Sequence, residues 1–246
     1  ILKKIAQVED RPGISADELM TIIGDYDALI VRGRTKVTAA VLDAGKNLKV
    51  VGRAGIGVDN IDLVAAKEKK VIVVNSPLAT TVTVAELTLA LMLAAVRDLA
   101  RADKSMKDGK WLKKEFEGAE LSQKTLGVIG MGRIGAAVIK RAAAFDMKVL
   151  GYDPLIPANE IQARGAEPVI LENLLKQADI ITMHIPLTAE SKNILNADAF
   201  SKMKQGVYII CAARGGVIDE GALLDALNSG KVAGAALDVF ATEPPG

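Results

Sequence analysis

The stretch 125–153, TLGVIGMGRIGAAVIKRAAAFDMKVLGYD, constrains the fold more than any other part of the chain. An apolar run with Val128 and Ile129 leads into Gly130-Met131-Gly132-Arg133-Ile134-Gly135. A helix-like run through Ala144 follows, then a second apolar run over 149–152, closed by Asp153. Strand, glycine turn, helix, strand and acid in that order mark a dinucleotide-binding βαβ unit. Gly130 allows the tight turn, Gly132 lets a pyrophosphate approach the backbone, and Gly135 lets the helix lie close to the strand. The helix N-terminus, with Arg133 and Ile134, offers unpaired N–H groups and a positive dipole end to phosphates. The glycine pattern alone is common by chance; its flanks give it weight. Asp153 follows Gly135 by 18 residues (153 − 135), near the spacing of about 20 at which an acid meets the ribose. With Tyr152 beside it, that carboxylate accepts from a 2′-OH and repels a 2′-phosphate, which favours NAD over NADP.

A chain of 246 residues, 50% hydrophobic and 25% charged, can bury one large core or two modest ones. Lys plus Arg number 31 against 30 Asp plus Glu, so no polybasic surface for nucleic acid or an anionic membrane is expected. In the most apolar helix-like run, 84–100, Glu86, Arg97 and Asp98 leave only 87–96 uncharged, too short for a bilayer. A single cysteine, Cys211, excludes an internal disulfide framework, and no secretory signal is visible, so a reducing cytoplasm is expected. No metal site is expected.

Before the glycine turn, Ser15 and Glu18 form a capping box for a helix through Ile23. Strands over 28–31, 48–52 and 71–74 alternate with helices over 37–44, ended by Gly45, and 61–70. Continuous apolar strands in this rhythm predict a parallel sheet covered on both faces. Thr83 and Glu86 form a second capping box, starting a helix that runs to about Asp103. It is apolar almost all round over 87–96, so it is buried in a core or against a second copy. The polar linker 108–124 holds Trp111 and is read as packing against a neighbour. After Asp153 come a Pro-punctuated loop, a helix over 171–177, a strand over 180–185 and a helix over 196–203. A strand over 207–212, a helix from Asp219 to Ser229 and a strand over 232–239 complete the series. The expected architecture is α/β: two Rossmann-like, doubly wound parallel-sheet domains, 1–78 and 79–246, with a cleft between them.

Ligands of open α/β sheets sit beyond the carboxyl ends of the strands. After 48–52 comes Arg53-Ala54-Gly55-Ile56-Gly57, whose approachable backbone and one cation suit a small carboxylate. The alternative is a tight βα turn with Asn60 as the N-cap of the next helix. His184 lies just inside the strand 180–185, ahead of Pro186. Arg214, followed by Gly215 and Gly216, is placed to fork onto a carboxylate or carbonyl oxygen, or is a surface arginine in a glycine turn. Asp238 lies inside an otherwise apolar strand, where a carboxylate is either functional or paired.

Read together, GRAGIGVDNID (52–62), VAELTLALMLA (84–94), KTLGVIGMGRIG (124–135), YDP (152–154), MHIPLT (183–188), ARGGVIDEGAL (213–223) and AGAALDVFATEPP (233–245) resemble the D-2-hydroxyacid dehydrogenase family. The motifs stand in the family's order and cover nearly the whole chain. GRAGIGVDNID is most like the branch that oxidises 3-phosphoglycerate, the first step of serine synthesis. The resemblance implies a small 2-hydroxy or 2-keto acid substrate, NAD as cofactor and hydride transfer between them. It implies that Arg214 binds the substrate carboxylate and polarises the 2-keto oxygen. By the same resemblance, Glu243 hydrogen-bonds the catalytic histidine and Asp238 holds the nicotinamide carboxamide. His184, Ile185, Pro186, Ala212 and Ala213 line the cofactor site, and the loop 53–57 holds the substrate, with Arg53 on its phosphate. A homodimer or higher oligomer through the helix 83–103 is expected.

The family's acid–base histidine lies beyond the last motif, and His184 is the only histidine in the chain. With Ile1 in place of a methionine and no first strand ahead of the opening helix, the sequence reads as truncated at both ends, and a chain ending at Gly246 is expected to be inactive while still binding NAD. Two departures from the family pattern, Cys211-Ala212 ahead of ARGG and Ala79-Thr80-Thr81 ahead of the long helix, bear on substrate preference. Cys211 itself reads as a small buried hydrophobe. The alternatives are a glyoxylate or hydroxypyruvate reductase, a non-catalytic NAD-sensing binding protein, and a structural dimer module built on the long helix.

Overall fold

The computed structural model describes residues 2–245. They form two compact units that divide between Thr80 and Thr81. In the first, α1 (Ala16–Ile22) starts at Ser15, whose hydroxyl accepts from the N–H of Glu18 at 3.1 Å. Only this half of the capping box forms, because the Glu18 carboxylate accepts from Arg11 instead. Next come β1 (Ala28–Val31), α2 (Ala39–Ala44), β2 (Val50–Arg53), α3 (Leu63–Glu68) and β3 (Ile72–Asn75), with the strands in a parallel sheet of order β1-β2-β3. Alternation along the strands sends Val31 and Val51 into a core with Leu19, Ile23, Val41, Leu42 and Ala66. The residues between them face the other way. Ile30, Ile72 and Val74 are 57%, 64% and 50% exposed, so the described residues cover one face of this sheet and not the expected two.

The helix expected over 61–70 is shorter at both ends. Asp62, and not Asn60, caps α3 by accepting from the N–H of Ala65 at 2.9 Å. The Asn60 amide instead donates to the carbonyls of Arg32 and Thr35, tying two loops together. At the far end Lys70 takes a left-handed conformation (φ 58°) that ends the helix.

The second unit opens with α4 (Thr81–Val96) and α5 (Leu99–Lys107). The single helix expected to run from Thr83 to Asp103 is broken by Asp98, which is left-handed at φ 52°. Thr83 lies inside the first turn of α4 and caps nothing. Ala85, Leu89, Met92 and Val96 form a helical stripe that α4 buries in a core with β4 and α6. The following elements are β4 (Thr125–Ile129), α6 (Arg133–Ala142), β5 (Lys148–Tyr152), α7 (Ala158–Ala163) and β6 (Glu167–Pro168). Then come α8 (Leu171–Gln177), β7 (Ile180–Met183), α9 (Ala197–Lys202), β8 (Val207–Cys211), α10 (Glu220–Asn228) and β9 (Val232–Leu237). The elements α7 and β6 occupy the stretch read from sequence as a Pro-punctuated loop.

These strands form a parallel six-stranded sheet of order β6-β5-β4-β7-β8-β9. Along β4, Leu126 and Val128 pack with α4 and α6, while Ile129 packs with residues of α8 and α9 on the opposite face. The sheet is thus covered on both sides. Strand order reverses between β4 and β7, and the crevice at such a reversal is where doubly wound sheets take ligands. Three strands, β7, β8 and β9, end sooner than expected. His184 lies one residue past β7, and Asp238 one residue past β9, where it is exposed. Asp238 is therefore not a carboxylate set within an apolar strand. Among the described residues no helix is long and apolar enough to cross a membrane.

Candidate dinucleotide site

The glycine turn joins β4 to α6 at the reversal of strand order. Gly130 has φ +94°, and a Cβ there would lie 2.6 Å from the carbonyl oxygen of His184 and 2.7 Å from Cγ2 of Ile185. A Cβ on Gly135 would lie 2.2 Å from the carbonyl oxygen of Gly130. Neither position admits a side chain without backbone movement. Gly132 is the opposite case: it is exposed, and nothing stands within 4 Å of where its Cβ would be. It is also the N-cap of α6 and brings no capping side chain, so the first N–H groups of a ten-residue helix remain for a ligand. Arg133 and Ile134 are the first residues of that helix, Arg133 exposed and Ile134 partly buried. An open, glycine-lined helix start of this kind fits a pyrophosphate.

Asp153 stands directly after β5, and its carboxylate reaches across to the turn. Oδ2 accepts from the N–H of Met131 at 2.8 Å, and Oδ1 accepts from the N–H of Leu155 at 2.9 Å. Tyr152, the last residue of β5, accepts from the N–H of Gly130 through its carbonyl at 2.9 Å. The side chain of Met131 is fully buried, and Gly151 leaves room for it: a Cβ there would lie 2.9 Å from its sulfur. Arg164, at the end of α7, was not singled out from sequence. Its Nη1 donates to the carbonyl of Met131 and its Nη2 to Glu160 at 3.1 Å. The Glu160–Arg164 pair one helical turn apart, just after Pro157, was the available sign of a helix in this stretch.

His184 donates its N–H to the carbonyl of Ile129 at 2.8 Å, which carries the β4–β7 pairing up to the turn. Its Nε2 lies 3.2 Å from the Thr182 hydroxyl, and its Nδ1 is buried without a hydrogen-bond partner. The residue as a whole keeps some accessible surface, but it is the ring nitrogens that titrate. Burial pushes their pKa down to about 4, so the imidazole is neutral at pH 7. Of the two residues that follow, Ile185 lies against the glycine turn, and the Pro186 carbonyl accepts from the Ser191 hydroxyl at 2.7 Å.

A second group of the residues singled out from sequence lies past β8 and β9. A Cβ on Gly215 would lie 1.8 Å from the carbonyl oxygen of Phe240, so the loop carrying Arg214 runs directly against the segment after β9. Arg214 follows half-buried Ala212 and buried Ala213, and its Nη1 donates to the Ala213 carbonyl at 2.6 Å. Glu243 is exposed and accepts from the N–H of Phe240 at 3.2 Å. Asp238 donates its backbone N–H to the carbonyl of Cys211 at 2.9 Å, and its exposed carboxylate sits at the edge of the same segment. Beneath it Cys211 is buried, and burial pushes its thiol pKa up, as suits a small apolar group.

The loop 53–57 belongs to the first unit. Arg53 ends β2 and folds back so far that a Cβ on Gly55 would lie 1.4 Å from its Nη1. That Nη1 donates to the carbonyl of Ala54 at 3.0 Å, while its Nε is buried without a partner. The Ile56 carbonyl accepts from the Asn75 amide at 2.6 Å, and Gly57 is half-buried beside it.

The family model described as "D-isomer specific 2-hydroxyacid dehydrogenase, NAD binding domain" matches residues 89–246. The chain is 51% identical over its full length to a D-3-phosphoglycerate dehydrogenase of Methanocaldococcus jannaschii, of which it covers 47%. It is 52% identical to a hydroxypyruvate reductase of Thermotoga maritima over 94% of this chain and 75% of that one. The structure is similar to a D-lactate dehydrogenase of Aquifex aeolicus complexed with NAD and lactic acid, at TM-score 0.83 and 36% identity over 90% of this chain and 66% of that one. The chain spans about half the length of most of the curated relatives it matches. The chain belongs to the D-isomer specific 2-hydroxyacid dehydrogenase family and carries that family's NAD binding domain.

Proposed function

We propose that the whole protein oxidises a D-2-hydroxy acid with NAD, and that the acid is 3-phosphoglycerate. The observation that carries the cofactor half is the Asp153 carboxylate, joined to the glycine turn at the reversal of strand order. The 51% identity with a D-3-phosphoglycerate dehydrogenase along the whole chain supports the substrate half. In this reading the second unit takes the cofactor and the first takes the substrate. Gly130 to Gly135 receive the pyrophosphate, Asp153 the ribose, and Tyr152, His184 to Pro186, Ala212, Ala213 and Asp238 line the rest of the cofactor. Arg53 to Gly57 receive the carboxylate and phosphate of the substrate, and the unpartnered Nε of Arg53 is a donor such an oxyanion would satisfy.

Bound NAD supplies the acceptor for the hydride that leaves C2. Arg214 binds the substrate carboxylate and stabilises charge on the C2 oxygen as it develops. The hydroxyl proton goes to a base oriented by Glu243, a histidine by the family resemblance. His184 is a poor acceptor by comparison, with its pKa near 4 and its Nε2 beside Thr182. A reducing cytoplasm suits this chemistry and the single buried Cys211.

The 52% identity with a hydroxypyruvate reductase supports a second reading, in which the acid carries no phosphate. The two separate in steady-state kinetics of the whole protein with NAD and either D-3-phosphoglycerate or D-glycerate. The first reading expects kcat/KM to be higher with the phosphate, and to fall at least about a hundredfold in Arg214→Lys. Equal or better turnover of D-glycerate supports the second, and no turnover of either acid overturns both.

We also propose self-association through α4 and α5, supported by exposed Val82, Leu99 and Met106. Light scattering of wild type against Leu99→Glu tests this; a monomeric wild type would end the idea.

A further inference from the structure

We infer that Arg164 is a positioning residue for the cofactor: it holds the Met131–Gly132 peptide in the one orientation that presents the Gly132 N–H to a pyrophosphate. This rests on the NAD reading above. Met131 is fastened at three points. Its side chain is buried in the core, its N–H is held by Asp153 at 2.8 Å, and its carbonyl is held by Arg164. In a trans peptide the carbonyl and the next N–H point in opposite directions. Holding the Met131 oxygen against Arg164 therefore turns the Gly132 N–H away from the protein's own acceptor groups on that side. The hold is needed because the second residue of that peptide is glycine, for which the flipped orientation is sterically open.

Arg164 is itself held. Glu160, four residues earlier on α7, accepts from Nη2 at 3.1 Å and leaves Nη1 directed at the turn. Both terminal nitrogens are thus engaged by the protein. This separates Arg164 from an arginine that waits for a ribose 2′-phosphate, the other role for a guanidinium near this acid. The function of α7, a helix not expected from sequence, is on this view to carry the strut.

Calorimetric titration of the whole protein with NAD and with NADP, for wild type, Arg164→Met and Arg164→Lys, tests the inference. Amide hydrogen exchange of the ligand-free proteins gives a second readout. The expected result is an NAD Kd about fivefold higher in Arg164→Met, the weight of one hydrogen bond, with partial recovery in Arg164→Lys. Exchange should quicken over 130–135 while the rest of the second unit stays protected. An NAD Kd within twofold of wild type in Arg164→Met overturns the inference and leaves the NAD reading standing. So does a loss confined to NADP, or exchange that rises throughout the unit. A wild type that binds no NAD overturns both.

Discussion

Asp153 Oδ2 accepts the backbone N–H of Met131 at 2.8 Å, so one carboxylate both closes β5 and fastens the turn that follows β4. In the proposed function, ribose selection and phosphate binding then share a residue. Asp153→Ala should raise the NAD Kd by about tenfold or more, because a charge-assisted hydrogen bond to the turn is lost with the ribose acceptor. Preference for NAD over NADP should fall in the same variant as the repulsion of a 2′-phosphate disappears. Calorimetric titration with both dinucleotides reads the two effects. A variant that loses only the preference, with NAD affinity intact, would show that the acid does not organise the turn.

The glycines of the turn separate folding from binding. In Gly135→Ala the new methyl meets the backbone oxygen of Gly130 at 2.2 Å, so strand and helix must part. A cost of about 1–3 kcal/mol is expected, read as a lower denaturation midpoint at constant slope. Gly132→Ala meets nothing within 4 Å and has an ordinary φ of −65°. Its stability should stay within about 0.5 kcal/mol of wild type, while the methyl obstructs the pyrophosphate. Normal NAD binding by Gly132→Ala would remove the close-approach role from that position.

Lys70 shows where the reading of the sequence stopped. Apolar periodicity and turn residues located the strands 28–31 and 149–152 to within a residue, and Asp219 caps the helix it precedes. They succeed because side chain and backbone act there within one turn of chain. The end of α3 depends instead on a lysine taking φ 58°, a conformation usual for glycine and unmarked by the residue type. Asp98 breaks the long helix in the same unmarked way. In the candidate site, the glycines and Asp153 were legible because close approach and charge restrict residue type. Arg164 was not, since its partner is a backbone carbonyl 33 residues away.

Lys70→Gly should therefore stabilise the first unit. Relief of the left-handed conformation is worth about 1 kcal/mol, reduced by the greater freedom that glycine gives the unfolded chain. Urea unfolding that reports on the first unit should show a midpoint equal to or above that of wild type. A clear fall would mean that the lysine side chain makes a contribution the helix end alone does not require.

His184 gives the protein a specific acid sensitivity. Its ordinary pKa of 6.5 falls to about 4 on folding because burial disfavours the imidazolium. Between those values the unfolded chain binds more protons than the folded one, so stability falls as pH drops through that window. Above 6.5 the group is neutral in both states and contributes no slope; below 4 both are protonated and the loss is complete. At pH 5 the loss relative to pH 7 is about 2 kcal/mol. His184→Gln carries no such charge, so its stability should decline less than wild type between pH 7 and 5, by about that amount. Carboxylates titrate alike in both proteins and cancel in the difference. The His184 imidazole resonance should also titrate near pH 4 in the folded protein. Parallel pH profiles for the two proteins, or a midpoint near 6.5, would mean that the ring is solvated in the folded protein.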